Sequence, residues 1–425
     1  MTIAVFLGSL LGAMALGIPI AFSLLLCGAA LMWHLDMFDA QILAQNVIEG
    51  ANSFPLLAVP FFMLAGEIMN AGGISRRIVA FALSLVGHVK GGLGYVAIVS
   101  ACLMAALSGS AVADAAALAA LLLPMMTAAG HDKARSAGLL ASASIIAPVI
   151  PPSIAFVIFG VAANVSISKL FMAGIVPGLM LGASLWITWW WLARREDVPV
   201  PPRKTRAEVA VAFKDATLAL VLPVIVVVGL KFGVFTPTEA AVVAAVYALL
   251  ISTLVYRELK IRHLYGLFLS AAQTTAVVMF LVAAAMVSSW LITVAQLPAM
   301  VVGLLEPLLD SPKLLMAAMM VLVMIVGTAM DMTPTILILT PVLMPIVKAA
   351  GIDPIYFGVL FIINNAIGLV TPPVGTVLNT VAGVGKVSMD EVTRGVLPFM
   401  LAQFALLFLM VLFPALVMVP ARWFY

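Results

Sequence analysis

Charged side chains are scarce in this chain of 425 residues. Asp, Glu, Lys and Arg make up 9% of the sequence, whereas 64% of it is hydrophobic. Because soluble domains carry about 25% charged residues, this deficit excludes a soluble protein. The net charge of +3 says nothing useful about nucleic acid, and for a membrane protein we expect no nucleic-acid partner.

Cysteine and histidine, on which many metal sites and catalytic centres depend, are also few. The two cysteines lie in apolar segments without metal-ligand spacing, and inert thiols are expected. The four histidines fall at predicted helix ends or loops, and no HExxH motif occurs. A membrane enzyme and an organic cofactor are therefore not expected. A channel is disfavoured because no filter-like loop or ring of like charges is present.

Long apolar runs are what the chain does contain. Each is near the roughly 20 residues that a helix needs to cross a bilayer, and no alternating strand pattern occurs. We predict an all-α polytopic membrane protein whose first apolar segment is retained, because no basic region precedes it. Helices are predicted at 3–16, 18–33, 54–72, 168–192, 216–232, 237–256, 272–296 and 396–420, with an amphipathic stretch at 37–50.

The sequence also contains a weak copy of itself, shifted by 221 residues. The pair Pro151-Pro152 recurs as Pro372-Pro373, and further Pro, Gly and Asp residues match between 108–178 and 329–399. Matching interruptions of helices are typical of secondary transporters built from two repeats. We predict repeats at 1–193 and 216–425, joined by a polar cytoplasmic linker at 194–215.

Each repeat is expected to contribute scaffold helices and then a hairpin and a broken helix of a transport domain. If the hairpins are re-entrant, the chain crosses the membrane about ten times and the second repeat is inverted. The scaffold segments are 1–90 and 216–312, the hairpins with their broken helices are 91–163 and 313–384, and the hairpins alone are 91–128 and 313–349.

The distribution of basic residues orients this topology. With the linker in the cytoplasm, all but five of the 21 Lys and Arg residues lie on the cytoplasmic side, as the positive-inside rule requires. Both termini are then predicted to face the periplasm. The exceptions are Lys169, Lys231, Lys313, Lys348 and Arg422.

Interrupted helices inside a membrane leave backbone carbonyls that only protein, water or an ion can satisfy. Each Pro-Pro pair lacks two amide donors, and free carbonyls with hydroxyls suit Na⁺ as a coupling ion. We therefore predict two Na⁺ sites. The first comprises Ser108, Ser110, Ile146, Val149 and Pro151; the second comprises Gly327, Asp331, Thr333, Gly368, Val370, Thr371 and Pro372.

An organic carboxylate is the expected substrate, because half-helix N-termini at these breaks would stabilise it without a buried arginine. For Asp114 the alternative role is a helix cap, and for the asparagines and threonines it is interhelical hydrogen bonding. The candidate substrate-binding residues are Ser110, Asp114, Ser153, Pro334, Asn365, Thr376 and Asn379.

Several stretches resemble one transporter family over nearly the whole chain. They include PFFMLAGEIMNAGG at 60–73, IIAPVIPPSI at 145–154, DMTPTILILTPVLMPI at 331–346 and IGLVTPPVGTVLN at 367–379. They are similar to the large membrane subunit, or DctM-type permease, of tripartite ATP-independent periplasmic (TRAP) transporters. Within that family the sequence is most similar to the 2,3-diketogulonate-type branch.

This resemblance implies Na⁺-driven uptake of an organic acid across the bacterial inner membrane by an elevator motion. It also implies two partners, a small four-helix (DctQ-type) membrane subunit and a periplasmic (DctP-type) binding protein. Many relatives have glycine before the first Pro-Pro pair, where this chain has Ile146 and Ala147. The alternatives are a stand-alone ion-coupled carboxylate transporter without a binding protein and an ABC-type permease.

Overall fold

A computed structural model describes residues 2–196, 198–297, 299, 303 and 311–424. Every helix or strand element within these ranges is a helix, which confirms the predicted all-helical class. Nine helices of the described part are long and apolar enough to cross a membrane. Positions 298, 300–302 and 304–310 of the predicted second repeat lie outside the described residues.

The first half of the chain forms ten α-helices. A 3₁₀ turn at Phe54–Leu57 leads into the fourth of them. In chain order they are α1 (Thr2–Ala15), α2 (Ile20–His34), α3 (Ala40–Ala51), α4 (Ala58–Ala71), α5 (Ile74–Val86), α6 (Gly92–Ser108), α7 (Ala111–Ala128), α8 (Lys133–Ser144), α9 (Ile154–Ala163) and α10 (Ile167–Ala193).

The described residues of the second half form nine more α-helices. A π-helical turn at Ile251–Val255 extends the second of them. They are α11 (Arg206–Lys231), α12 (Pro237–Leu250), α13 (Ile261–Val294), α14 (Pro312–Ala329), α15 (Met332–Ala349), α16 (Pro354–Gly368), α17 (Thr376–Gly385), α18 (Met389–Leu412) and α19 (Ala415–Ala421).

Three predicted helix starts are wrong because hydropathy marks the apolar part of a helix and not its polar start, and one predicted helix end is wrong as well. The predicted linker 194–215 includes the first turns of α11, which begins at Arg206 after a capping box of Thr205 and Glu208. The span predicted from 272 begins at Ile261. The last predicted helix begins at Met389 behind a second capping box and ends at Leu412, shortly before Pro414.

Helix bounds in the two halves correspond at the shift of 221 residues found in the sequence. The shift maps α7 onto α15 residue for residue, and it maps the first residue of α3 onto the first residue of α13. The contacts between the halves follow the same correspondence. Helix α7 of the first half packs on α17 of the second, and α15 of the second half packs on α9 of the first. The second arm of each hairpin therefore packs on the helix that follows the break in the other half.

Glycines allow a close crossing between the halves, where α8 meets α18. A Cβ atom on Gly395 would collide with the backbone carbonyl of Ala134, and one on Gly138 would collide with the backbone of Gly395. Small residues at such crossings are typical of helix packing in membranes, where close backbone approach supplies van der Waals contact.

Glu196, just after α10, joins the end of that helix to the start of α8. Its carboxylate accepts a hydrogen bond from Arg135 Nη1 at 2.7 Å and lies 2.6 Å from His131 Nδ1. Burial raises the pKa of the Glu196 carboxyl, but His131 and Arg135 together outweigh burial, and the pKa lies below its ordinary value. The folded state therefore favours the ionised carboxylate.

We predict that Glu196→Gln destabilises the protein by about 1–3 kcal/mol at pH 7, the cost of a charge-assisted hydrogen bond. Because the folded pKa is depressed, this contribution is present above the ordinary Glu value of 4.5 and is lost as the pH falls through the folded pKa. Thermal unfolding in detergent across this pH range measures it. Glu49→Gln, at an exposed site on α3, is the control, and equal effects of both substitutions at pH 7 would contradict the prediction.

Candidate functional site

A cavity of about 480 Å³ lies between the two hairpins and the helices α4 and α13. Hairpin tip 1, Ser108–Ser110, joins α6 to α7, and hairpin tip 2, Met330–Asp331, joins α14 to α15. Residues from both tips and from both helix breaks line the cavity. Its polar or charged lining side chains are Glu67, Asn70, Ser108, Ser110, Thr274, Asp331 and Thr333.

Hairpin tip 1 turns through Gly109, whose φ of +60° lies in the left-handed region that favours glycine. Ser110 then caps α7, accepting a hydrogen bond from the Ala113 amide at 3.4 Å. Ser108 Oγ donates to Asp114 at 2.6 Å, and both side chains are buried. The tip is therefore held from within by its own hydroxyls and acid.

Tip 1 meets the first break, residues 145–153, at the backbone of Gly109. A Cβ atom there would lie 2.5 Å from the carbonyl oxygen of Pro152. The Ile146 carbonyl instead accepts the amides of Val149 and Ile150, at 3.0 and 3.1 Å. It is engaged inside the break and is not left free, contrary to the expectation for site one.

Val149 and Ser153, two other predicted site residues of the first break, do not face the cavity. The Val149 carbonyl packs against Gly174 of α10. Ser153 caps α9 by accepting the Phe156 amide at 3.2 Å, and its hydroxyl donates to the Pro148 carbonyl at 2.5 Å. Ser153 is fully buried and does not line the cavity. The Pro152 carbonyl is the break carbonyl that a Cβ atom on Gly109 would meet first.

Tip 2 meets the second break, residues 369–375, through a close pair of glycines. A Cβ atom on Gly368 would lie 2.8 Å from the Gly327 carbonyl oxygen, and one on Gly327 would lie 3.7 Å from Asn365 Oδ1. The Val374 amide donates to the Thr328 carbonyl at 3.4 Å. Glycine and main-chain pairing therefore bring the second hairpin into contact with its break.

The two tips differ in conformation and charge. Met330, which corresponds to Gly109 at the shift of 221 residues, is extended, with a φ of −126°. Asp331 corresponds to Ser110, but its side chain does not cap α15. It accepts a hydrogen bond from Thr376 Oγ1 at 3.3 Å, which ties tip 2 to the start of α17.

The remaining predicted residues of the second half lie around this cavity or behind it. Thr371 Oγ1 donates to the Ile367 carbonyl at 2.8 Å, so its lone pairs stay available. Asn379 donates to the Val374 carbonyl at 2.8 Å. Thr333 lines the cavity, whereas Pro334, Val370, Asn365, Thr376 and Asn379 do not. Pro372 lies in the break and is half-buried.

Two buried oxygens beside the tips have no hydrogen-bond partner. They are Asp114 Oδ2, behind tip 1, and Asn365 Oδ1, next to Gly327. A buried acceptor without a partner costs about 1–3 kcal/mol, and more if it is charged. A cation or a water molecule at each position would remove that cost. Both oxygens belong to residues that the sequence assigned to substrate.

The lining contributed by α4 and α13 was missed from the sequence. Glu67 and Asn70 face the tips from α4, and Thr274 faces them from α13. Glu67 lines the cavity and accepts a hydrogen bond from Ser270 at 3.5 Å. The available signal was an acid inside an apolar span, which usually marks function.

The electrostatic character of the cavity follows from its charged lining. Glu67 and Asp331 contribute two carboxyl groups, and none of the lining residues that the structure describes is Lys, Arg or His. The cavity is therefore suited to polar or cationic ligands, and its described lining offers an anion no basic side chain.

Comparison with known proteins gives consistent matches over the whole chain. Residues 7–416 match the family described as "Tripartite ATP-independent periplasmic transporter, DctM component". The chain is 59% identical over 423 residues to the 2,3-diketo-L-gulonate TRAP transporter large permease protein of Escherichia coli K12, with 100% of both covered. It is 39% identical over 404 residues to the sialic acid TRAP transporter large permease protein of Vibrio cholerae, with 95% of both covered.

A solved structure supports the fold. The YdaH transporter of Alcanivorax borkumensis superposes with a TM-score of 0.65, covering 91% of each chain at 16% sequence identity. At this identity the similarity concerns the fold alone.

We predict that Gly109→Ala destabilises the chain more than Gly130→Ala does. Both glycines have positive φ, but a Cβ atom on Gly109 meets the Pro152 carbonyl, whereas one on Gly130 meets no atom within 4 Å. Conformational strain costs each variant about 1–2 kcal/mol, and the collision at Gly109 adds roughly 1–3 kcal/mol. Thermal unfolding of the two variants measures the difference. Equal midpoints would show that tip 1 does not press against the break.

Proposed function

The chain belongs to the DctM component family of TRAP transporters, and from this we propose that it couples uptake of an organic acid to Na⁺. It is the large permease subunit of such a transporter, a multi-pass protein of the inner membrane and not an enzyme. The proposal covers four properties: coupling to Na⁺, the identity of the substrate, the partner proteins and the parts of the chain that move.

The charge of the cavity is the observation that carries the proposal. An organic anion entering it meets the carboxyl groups of Glu67 and Asp331 and no basic lining side chain. A carboxylate near the substrate repels its negative charge, and the repulsion is stronger away from bulk water. Binding of Na⁺ beside the tips offsets this repulsion, so the substrate and the ion bind together and move together.

The ion ligands are proposed to come from the paired tips and breaks. For site one we propose Ser108, Ser110 and the Asp114 carboxylate, with break carbonyls. For site two we propose the Gly327 and Val370 carbonyls with the Thr371 hydroxyl and the unpaired Asn365 amide oxygen. Unwound backbone and helix ends coordinate coupling ions in this way in other secondary transporters.

The substrate is proposed to be a sugar acid of the kind named in the Escherichia coli relative. The N-termini of α7 and α15 both lie at the cavity, where their free amide groups would stabilise a bound carboxylate. Asn70, Thr274, Thr333 and Glu67 then offer donors and acceptors for hydroxyl and carbonyl groups.

An elevator motion is proposed for translocation. Helices α6–α9 and α14–α17 pack on one another through the hairpins and breaks, and they would move as one body against α4 and α13. A small four-helix membrane subunit would brace the scaffold, and a periplasmic binding protein would deliver the substrate. Both termini of the chain are proposed to face the periplasm.

Reconstitution tests the transport proposal. Proteoliposomes containing the chain with its small subunit, supplied with the binding protein and labelled 2,3-diketo-L-gulonate, should take up label when an inward Na⁺ gradient is applied. Replacing Na⁺ by K⁺ should abolish uptake. Uptake that requires ATP and ignores Na⁺ would support an ABC-type mechanism, and Na⁺-driven uptake without the binding protein would support a stand-alone transporter.

We predict that Ser110→Ala and Thr371→Val each raise the Na⁺ concentration for half-maximal uptake roughly 10-fold, the loss of about 1.4 kcal/mol of binding free energy. Thr340→Val is the matched control. It removes a buried hydroxyl without a hydrogen-bond partner from the middle of α15, away from either tip. If both test variants keep the Na⁺ dependence of the unmodified chain, the assigned ion sites are wrong.

A further inference from the structure

A second cavity, of about 740 Å³, lies between α5 and the start of α11, away from the hairpins. The predicted topology places it on the cytoplasmic side, but nothing in the transport proposal uses it. We call it the α5–α11 groove. It is lined by Phe81, Ser84, Leu85, His88, Arg203, Lys204, Arg206, Val209, Ala210 and Phe213.

One part of the α5–α11 groove is apolar and open. The rings of Phe81 and Phe213 lie against each other, with centroids 5.5 Å apart. Phe213 is nevertheless 50% exposed and Leu85 is 40% exposed. A groove with such apolar walls can hold a hydrocarbon chain.

The other part of the groove is basic. Lys204 is paired with Glu208 at 3.0 Å, whereas Arg203 and Arg206 have no acidic partner among the described residues. His88 adds a buried Nδ1 atom without a hydrogen-bond partner. Two guanidinium groups without an acidic partner among the described residues match a phosphate group, which arginine binds through paired hydrogen bonds.

We propose that the α5–α11 groove binds an anionic phospholipid. The phosphate lies between Arg203 and Arg206 with His88 beside it, and an acyl chain runs along Leu85, Phe81 and Phe213. One end of the groove is basic and the rest is apolar. The groove therefore matches both the headgroup and the acyl chain of an anionic lipid, whereas a soluble anion would use only the basic end. Basic pockets at helix ends near the cytoplasmic leaflet are where such headgroups bind.

Native mass spectrometry of the full-length chain in a zwitterionic detergent tests the proposal. Phosphatidylglycerol should remain bound more strongly than phosphatidylcholine. In Arg203→Gln/Arg206→Gln its apparent affinity should fall roughly 30-fold, since each basic side chain near a membrane surface contributes about fivefold. Lys260→Gln/Arg262→Gln removes the same charge at exposed positions outside the groove and should bind as the unmodified chain does.

Further arms separate the alternatives. Leu85→Gln should weaken phosphatidylglycerol binding while an unchanged unfolding midpoint shows that the fold persists. Displacement of the lipid by millimolar inorganic phosphate would overturn the proposal in favour of a free-anion site. Loss of lipid on addition of the small subunit would also overturn it, because a protein would then cover the groove. The proposal would also be overturned if the test pair and the control pair of substitutions lowered the affinity for phosphatidylglycerol equally.

Discussion

Unsatisfied main chain at membrane depth is the constraint on which this structure depends. Two helices stop and restart inside the protein, and lipid can satisfy none of the groups that they expose. Other groups of the same chain form hydrogen bonds with the exposed main chain. Thr328 and Val374 pair their main chains, Val377 donates to the Leu369 carbonyl, and Ser153 donates to that of Pro148. Because each break needs a hairpin tip against it, the two breaks fix where both hairpins and the cavity lie.

The same constraint explains why the cavity is chemically unusual. Oxygen atoms gather wherever helices are interrupted, and cationic side chains are absent from the described lining. Such a lining is suited to small cations. Glu67, Asn70 and Thr274 complete the cavity from α4 and α13. In the proposed elevator motion, displacement of the hairpins against these two helices would open or close the cavity.

The interruptions could be predicted from the sequence because their signals are local. Gly109 and the Pro-Pro pairs mark the hairpin tip and the breaks wherever the rest of the chain lies. Helix starts at Arg206, Ile261 and Met389 were missed because capping and amphipathic turns are polar. Which break carbonyl meets tip 1 depends on packing between distant segments, and so does the position of Glu67. No local pattern distinguishes the carbonyl of Pro152 from those of Ile146 and Val149.

The difference between the two tips has a stereochemical consequence. Two identical halves would surround the cavity with equivalent groups, and an unsymmetrical molecule could then enter in either of two directions at equal energy. Here a serine and an aspartate occupy the corresponding positions 110 and 331, one beside a glycine with positive φ and the other beside an extended methionine. That divergence removes the degeneracy. A cavity lined in this way can distinguish the two ends of an unsymmetrical molecule.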